Sequence, residues 1–153
     1  MSDQKPVVIR SVLIPLQGMS LLLPNVAIAE VVAYSQPTAI PKAPEWVKGM
    51  MSWRGQRVPL LSFERLAGKT NPPLTTTSRI AILNRHNTDS FYDFLGLVVQ
   101  GIPRLLRISQ GDLQANPAQT VLPYVLCTTQ FTDETALIPD LESIEKQLQT
   151  TIK

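Results

Sequence analysis

A mainly β protein is the fold class this sequence predicts, and three observations carry it. Thirteen prolines and seven glycines are spread through 153 residues, which excludes long helices over most of the chain. The runs between these breaks are short and rich in Val, Ile and Leu, as strands are. Two of the breaks, Gln17-Gly18 and Arg54-Gly55, have the two-residue form of hairpin turns, with glycine free to take positive φ.

Taken in order, Val7 to Leu16 and Met19 to Leu23 read as the strands of a first hairpin. Val26 to Tyr34 alternates Val26, Ile28 and Glu30 with Ala27, Ala29 and Val31, which fits a strand, although helical spacing fits it as well. Pro41 and Pro44 punctuate an extended approach, and Gly49 releases the chain into Met50 to Trp53. Gln56 to Leu61 returns as a strand that Pro59 marks as edge-like or interrupted. Ser62 can cap a short helix through Leu66, ended by Gly68. Lys69 to Ser78, with Asn71-Pro72-Pro73, has no periodic apolar face and reads as a linker. Ile80 to Leu83, Phe91 to Val99 and Arg104 to Ile108 follow as strands around a polar turn at Asn84 to Ser90. After a loop from Gln110 to Thr120, Val121 to Thr128 and Thr135 to Ile138 complete the β content. Pro139 then suits the first turn of a terminal helix with Leu141, Ile144, Leu148 and Ile152 on one face.

Composition limits the function classes. The length and 44% hydrophobic content allow a core of one domain or of two small fused lobes. A net charge of +2, with 17% charged and 6% aromatic residues, supplies neither the basic track nor the stacking platform of a nucleic-acid binder. The single cysteine, Cys127, sits in an apolar run, which excludes an intramolecular disulfide and fits a buried thiol in a reducing cytoplasm. No apolar run approaches the roughly 20 residues that span a bilayer, and the N-terminus lacks a hydrophobic signal region.

Catalytic chemistry is hard to assemble from these residues. His86 lies in a polar turn with no second histidine and no cysteine pair, so it reads as a solvated loop residue. Cys127 has no histidine partner in a recognisable motif. The glycines form no phosphate-cradling pattern. Asp133, Glu134 and Asp140 fall at a turn and at a helix start, where carboxylates are favourable anyway. No metal or cofactor is expected, and no enzyme activity. The competing reading is a small β-barrel enzyme or ligand-binding protein with a pocket between lobes.

The segment Leu23-Pro24, Ile28-Ala29-Glu30-Val31, Pro41, Pro44, Gly49, Arg54-Gly55 and Pro59-Leu60-Leu61 keeps one order and spacing over about 40 residues, and it resembles the signature of the CheW-like coupling domains. A second stretch, Leu95 to Val99 followed by Ile102 and Leu105 to Ile108, is similar to the family's second signature. The chain departs from that pattern at Ser52-Trp53, where Asn-Leu is usual, at Ser62 in place of an acid, and at Gln100 in place of Asp. With these departures it resembles the ChpC-type CheW-like proteins of type IV pilus chemosensory systems.

The resemblance implies two small five-stranded SH3-like β-barrels sharing a core, with short helices and a C-terminal helix. In this single domain the first lobe would run from about 18 to 78 and the second from about 79 to 138, with the N-terminal strand and the final helix completing the fold. It implies an adaptor that couples the cytoplasmic tips of methyl-accepting chemoreceptors to the regulatory domain of a CheA-type histidine kinase, in twitching or type IV pilus control. The residues it assigns to the receptor and kinase interface are Ile28, Glu30, Gly49, Trp53, Arg54, Gly55, Val98, Val99 and Ile102. Of these, Ile28, Val98, Val99 and Ile102 are read from the sequence first as core, with the resemblance placing some of them along the groove, and Trp53 as either core or a binding anchor. Arg54 and Glu30 are expected to form an inter-strand ion pair that shapes the receptor-facing surface. The groove between the lobes is expected to take a receptor helix.

Overall fold

The computed structural model describes residues 8–109, 114–115, 122–131 and 134–152. Eleven strands and two α-helices follow in the order β1 (Val8–Leu16), β2 (Met19–Pro24), β3 (Ile28–Ala33), β4 (Val47–Trp53), β5 (Gln56–Leu61), α1 (Phe63–Leu66), β6 (Arg79–Asn84), β7 (Phe94–Val99), β8 (Arg104–Ser109), β9 (Gln114–Ala115), β10 (Val125–Phe131), β11 (Glu134–Pro139) and α2 (Leu141–Thr151). They build a six-stranded sheet, β8-β1-β2-β11-β10-β9, and a five-stranded sheet, β3-β6-β7-β5-β4. The mainly β, two-sheet class expected from sequence is what the chain adopts.

Five details depart from expectation. The sheets do not divide the chain near residue 78: β6 and β7 pair with β3 and β5, while β2 joins the other sheet. The polar stretch 69–78 is therefore an excursion that returns the chain to the interior of the same sheet, between β3 and β7. Pro59 lies in an interior strand, because β5 sits between β7 and β4; its pairing with β7 begins only at Leu60, so the missing N–H falls outside that ladder. Pro139 ends β11, and Asp140 is the N-cap of α2, with Oδ1 accepting from the Ser143 N–H at 3.2 Å. The stretch at Val26 resolves into a single 3-10 turn, Asn25–Ala27, before β3 begins. Within the expected loop, Gln114–Ala115 forms a short strand beside Thr129 and Gln130, and the rest of 110–120 lies outside the described residues, as do Val7 and Asp133.

Burial falls into three clusters. The largest lies between the sheets, where Ile14, Leu21 and Leu23 meet Leu61, Leu83 and Leu97, with Phe63 of α1 and Ile144 and Leu148 of α2. The predicted apolar face of α2 is buried at all four positions, Leu141, Ile144, Leu148 and Ile152. Trp46 packs against the same cluster. A small cluster of Leu13, Leu22, Ile108 and Ala136 fills the other face of the six-stranded sheet. Another, of Val58, Leu60, Ile80, Ile82 and Val98, fills the other face of the five-stranded sheet and is covered by Val32, Met51, Trp53 and Phe94. Each sheet thus curls over an apolar filling of its own while sharing the central layer with its neighbour. Among the described residues neither ladder closes into a complete barrel by backbone pairing.

Candidate functional site

The site begins at the β4–β5 hairpin. Arg54 and Gly55 take φ of 48° and 76°, the positive pair that a type I′ turn requires, and Trp53 and Gln56 face each other across it. That twist sends the Trp53 ring onto the edge of Phe94, with centroids 4.9 Å apart in a T-shaped arrangement. From there the indole Nε1–H donates to Glu30 Oε1 at 2.8 Å. Arg54 Nη2 donates to both Glu30 oxygens at 3.3 Å, and its guanidinium carbon lies 5.2 Å from the Trp53 ring centre.

This clasp joins opposite ends of a ladder. β3, which carries Glu30, and β4, which carries Trp53, are the two edge strands of the five-stranded sheet. Side chains make the closure that the backbone does not. A bulge between Ile28 and Glu30 re-aims β3 at this point. The Trp53 hydrogen bond first, and Arg54 second, hold the Glu30 carboxyl below its ordinary value of 4.5, against an opposing push from partial desolvation.

Gly49 anchors the other end of β4. Its φ is 144°, and a Cβ there would lie 2.4 Å from the Thr38 carbonyl oxygen. That contact is the price of the bridge in which Thr38 and Met50 exchange N–H to O bonds of 2.9 and 2.8 Å.

The remaining expected interface residues are not gathered at the clasp. Ile28 is half-buried against the central cluster. Val98 lies in the small cluster beneath Trp53 and Val99 in the central one; both are buried, so they present no surface to a partner. Ile102 is 72% exposed on the other sheet's side, where it flanks a shallow depression with Leu13, Pro15 and Arg104. Cys127 is a half-buried free thiol rather than a fully buried one, and His86 is exposed.

Between the sheets a groove of about 530 Å³ opens beside the start of β3. Leu23, Val26, Leu126 and Ile138 give it an apolar lining, with Arg85, His86 and Glu142 at its polar positions. Val26 and Leu126 are 83% and 65% exposed, which is unusual for side chains of that kind on a folded surface. Its walls are pinned: Asn84 Nδ2 donates to the Val26 carbonyl at 3.0 Å, and the Asp140 N–H to the Tyr124 carbonyl at 2.8 Å.

Two buried carboxylates hold turns of the chain in place, and the sequence pattern singles out neither of them. Glu145 accepts from the N–H groups of His86 at 2.7 Å and Asn87 at 3.0 Å and from the Ser90 hydroxyl, which fixes the polar turn on α2. Its signal was present, for it interrupts the apolar stripe Leu141, Leu148, Ile152. Glu64 Oε2 accepts from the Gln17 N–H at 3.2 Å and from Gln100 Nε2 at 3.3 Å, tying the β1–β2 turn to the end of β7, while its Oε1 has no partner. Nothing in the local sequence marks it. Among the described residues no group of three or more His, Cys, Asp or Glu side chains is placed to hold a metal ion.

The described residues thus form a curled two-sheet body with a polar clasp at one sheet and a pinned apolar groove between the two. The sequence matches the CheW-like domain over residues 10–149, and the chain belongs to that family. Its fold is similar to that of the scaffolding protein TtCheW from Thermoanaerobacter tengcongensis, with a TM-score of 0.75 at 22% identity, covering 92% of this chain and 90% of that one. Comparison with curated proteins returns no match. The protein is a CheW-like scaffold of chemotaxis signalling, of a family that is not enzymatic. No helix among the described residues is long and apolar enough to cross a membrane.

Proposed function

We propose that this chain is a cytoplasmic coupling adaptor that joins the tips of methyl-accepting chemoreceptors to the regulatory domain of a CheA-type histidine kinase. The observation that carries the reading is the clasp itself. Glu30 and Arg54, the acid and arginine of the family motif, stand 24 positions apart and meet on an exposed face. The pair shapes that face more than it stabilises the fold, since Arg54 is 69% exposed and screened by water. The neighbouring groove suits an amphipathic receptor helix: its lining is apolar, and Arg85, His86 and Glu142 can meet the helix's polar flanks.

A role in type IV pilus control and twitching rests on the departures from the family pattern. Trp53 gives Glu30 a donor that a leucine could not, and Gln100 gives Glu64 an amide where an aspartate would bring a second carboxylate. The partners of this copy would then be matched to an altered surface.

The test is a pull-down of the purified chain with a CheA-type regulatory domain and, separately, a receptor-tip fragment. Arg54→Glu should weaken at least one of the two interactions by tenfold or more while the circular dichroism spectrum stays unchanged. Full binding by that variant, or no binding by the wild type, would overturn the reading. Specific capture of a small metabolite without either protein partner would favour a ligand-binding protein instead.

A further inference from the structure

Four stretches of chain wall the groove between the sheets: the end of β2 with the 3-10 turn, the end of β6 with Arg85 and His86, Leu126 of β10, and the junction of β11 with α2. Ties cross the seams between them. Asn84 Nδ2 holds the second wall to the first through the Val26 carbonyl. The β10–β11 ladder, with the Asp140 N–H on the Tyr124 carbonyl, holds the third to the fourth, and β11 pairs in turn with β2. The seam that remains runs between Arg85 and His86 on one side and the first turn of α2 on the other, and no strand pairing crosses it. Glu145, one helical turn further along α2, reaches across it.

Glu145 is 4% exposed and makes no ion pair with a described residue. Its charge is met by donors alone: the His86 N–H on Oε2, and the Asn87 N–H with the Ser90 hydroxyl on Oε1. Only a carboxylate offers two acceptor oxygens and no donor of its own to such a convergence. The turn itself does not need this help. Arg85 already meets Asp93 through a backbone bond of 3.0 Å and an ion pair of 2.9 Å. Inside that closure Asn87 accepts from the Ser90 N–H at 3.0 Å on its carbonyl and from the Asp89 N–H at 2.9 Å on its side chain. With the turn closed from within, what the buried carboxylate determines is where the turn sits against α2. A second tie there, Gln149 Nε2 to the Asp89 carbonyl, is long at 3.4 Å.

We propose that Glu145 is the positioning residue of the groove: it fixes the wall of Arg85 and His86 against α2, so that the groove stands at its binding width before a receptor helix arrives. This rests on the reading of the groove as the receptor-helix site. Glu145 does not line the groove, so it acts through the residues it holds. A preset width spares the complex the ordering of a loop, and affinity is higher by that amount. Without the tie, the binding-competent width becomes one of several, and the apparent affinity falls by the fraction of molecules that adopt it.

The test compares the full chain with Glu145→Gln at a temperature where urea curves show both fully folded. Glutamine keeps the side chain's size but has one acceptor oxygen, so at least one of the two backbone ties is lost. Amide exchange followed by NMR should quicken about a hundredfold at His86 and Asn87 while Leu97 in β7 keeps its protection. His86 is the chain's single histidine, so its imidazole gives one signal, which should shift or broaden as the wall is released. Binding of a fluorescein-labelled receptor-tip fragment, read by anisotropy, should weaken about tenfold. A merely structural glutamate would lower Tm and leave the affinity of the folded chain where it was. Should Glu145→Gln fail to fold, Ser90→Ala removes one donor, leaves both amide ties, and should show the same changes at smaller size. Unchanged exchange at His86 and Asn87, or faster exchange with unchanged affinity, would overturn the proposal. No binding by the wild type would overturn the receptor reading and the partner named here with it, and the exchange result would still decide what Glu145 holds.

Discussion

In the five-stranded sheet the edge strands β3 and β4 stand at opposite ends of the ladder and still meet, through Glu30, Trp53 and Arg54. In the six-stranded sheet the edge strand β8 ends with Arg107 facing Arg10 and no anion near either among the described residues. Both sheets curl over a small apolar filling, so the same architecture supports two electrostatic solutions. One edge has its charges matched within the chain. At the other, Arg10 and Arg107 make no ion pair with a described residue. An edge strand is a template for pairing, and the clasp shows how this molecule blunts that template at the five-stranded sheet.

The strongest way to break the contrast is to open the latched edge. Gly49→Ala places a methyl group where the Thr38 carbonyl stands 2.4 Å away, at a φ that side chains rarely adopt. The Thr38–Met50 bridge must then part, and the cost should be about 3 kcal/mol. Urea denaturation followed by tryptophan fluorescence measures it. A loss below about 1 kcal/mol would mean that β4 is not held as tightly as its geometry requires.

Next in size is the clasp's aromatic member. Trp53→Ala removes the cover of the Val58–Val98 cluster, the Phe94 edge contact and the Glu30 donor together, and should cost about 2–3 kcal/mol. Trp53→Leu, the residue usual in the family, keeps most of the cover and should cost about 1 kcal/mol by the same denaturation measurement. Retained stability with lost kinase or receptor binding in Trp53→Leu would assign the ring to recognition. Binding that falls only in step with stability across the two variants would assign it to packing.

Much of this was legible beforehand, and the reason is local. The Arg54-Gly55 turn, the Ser62 cap, the α2 stripe and the strand pattern are set by residues within a few positions of one another, and period and turn chemistry report them. The Glu30–Arg54 pair was reached through the family pattern, which carries long-range information that a single sequence lacks. What escaped depended on crossings. β6 and β7 leave a polar excursion that looks like a domain boundary and rejoin the earlier sheet, and no periodicity in 79–99 says which strand they will pair with. Val98 and Val99 point to opposite faces, yet both faces of this sheet are covered, so neither is a surface residue. Pro59 suggested an edge because proline usually marks one, and the short overlap of β5 with β7 removed that constraint.

A smaller effect tests the region between the two sheets. Gln100 Nε2 donates to the buried Glu64, whose other oxygen already lacks a partner. Gln100→Asp, which restores the family's common residue, withdraws that donor and brings a second carboxylate toward the first. It should lower stability by about 1–2 kcal/mol, measured by urea denaturation. A gain in stability would show that the Gln100–Glu64 contact is not part of what joins the β1–β2 turn to β7.

The smallest effect is the most specific to the latch. The Glu30 carboxyl is held below its ordinary 4.5 in the folded chain, by Trp53 foremost and then by Arg54, and in the unfolded chain it reverts to that value. The folded state therefore binds this proton less readily than the unfolded state. The stability it contributes is complete above pH 4.5 and is lost as the pH falls through the lowered folded value. Thermal unfolding scans between pH 6 and pH 3 should show a steeper acid-side fall in Tm for the wild type than for Glu30→Gln, with the two curves converging at the acid end. No counterpart is expected from Arg107→Thr, which removes no carboxylate, so its curve should shift as a whole without changing its shape. Parallel curves for wild type and Glu30→Gln would mean that the clasp adds no proton-linked stability, and the difference between the two edges would then be one of geometry alone.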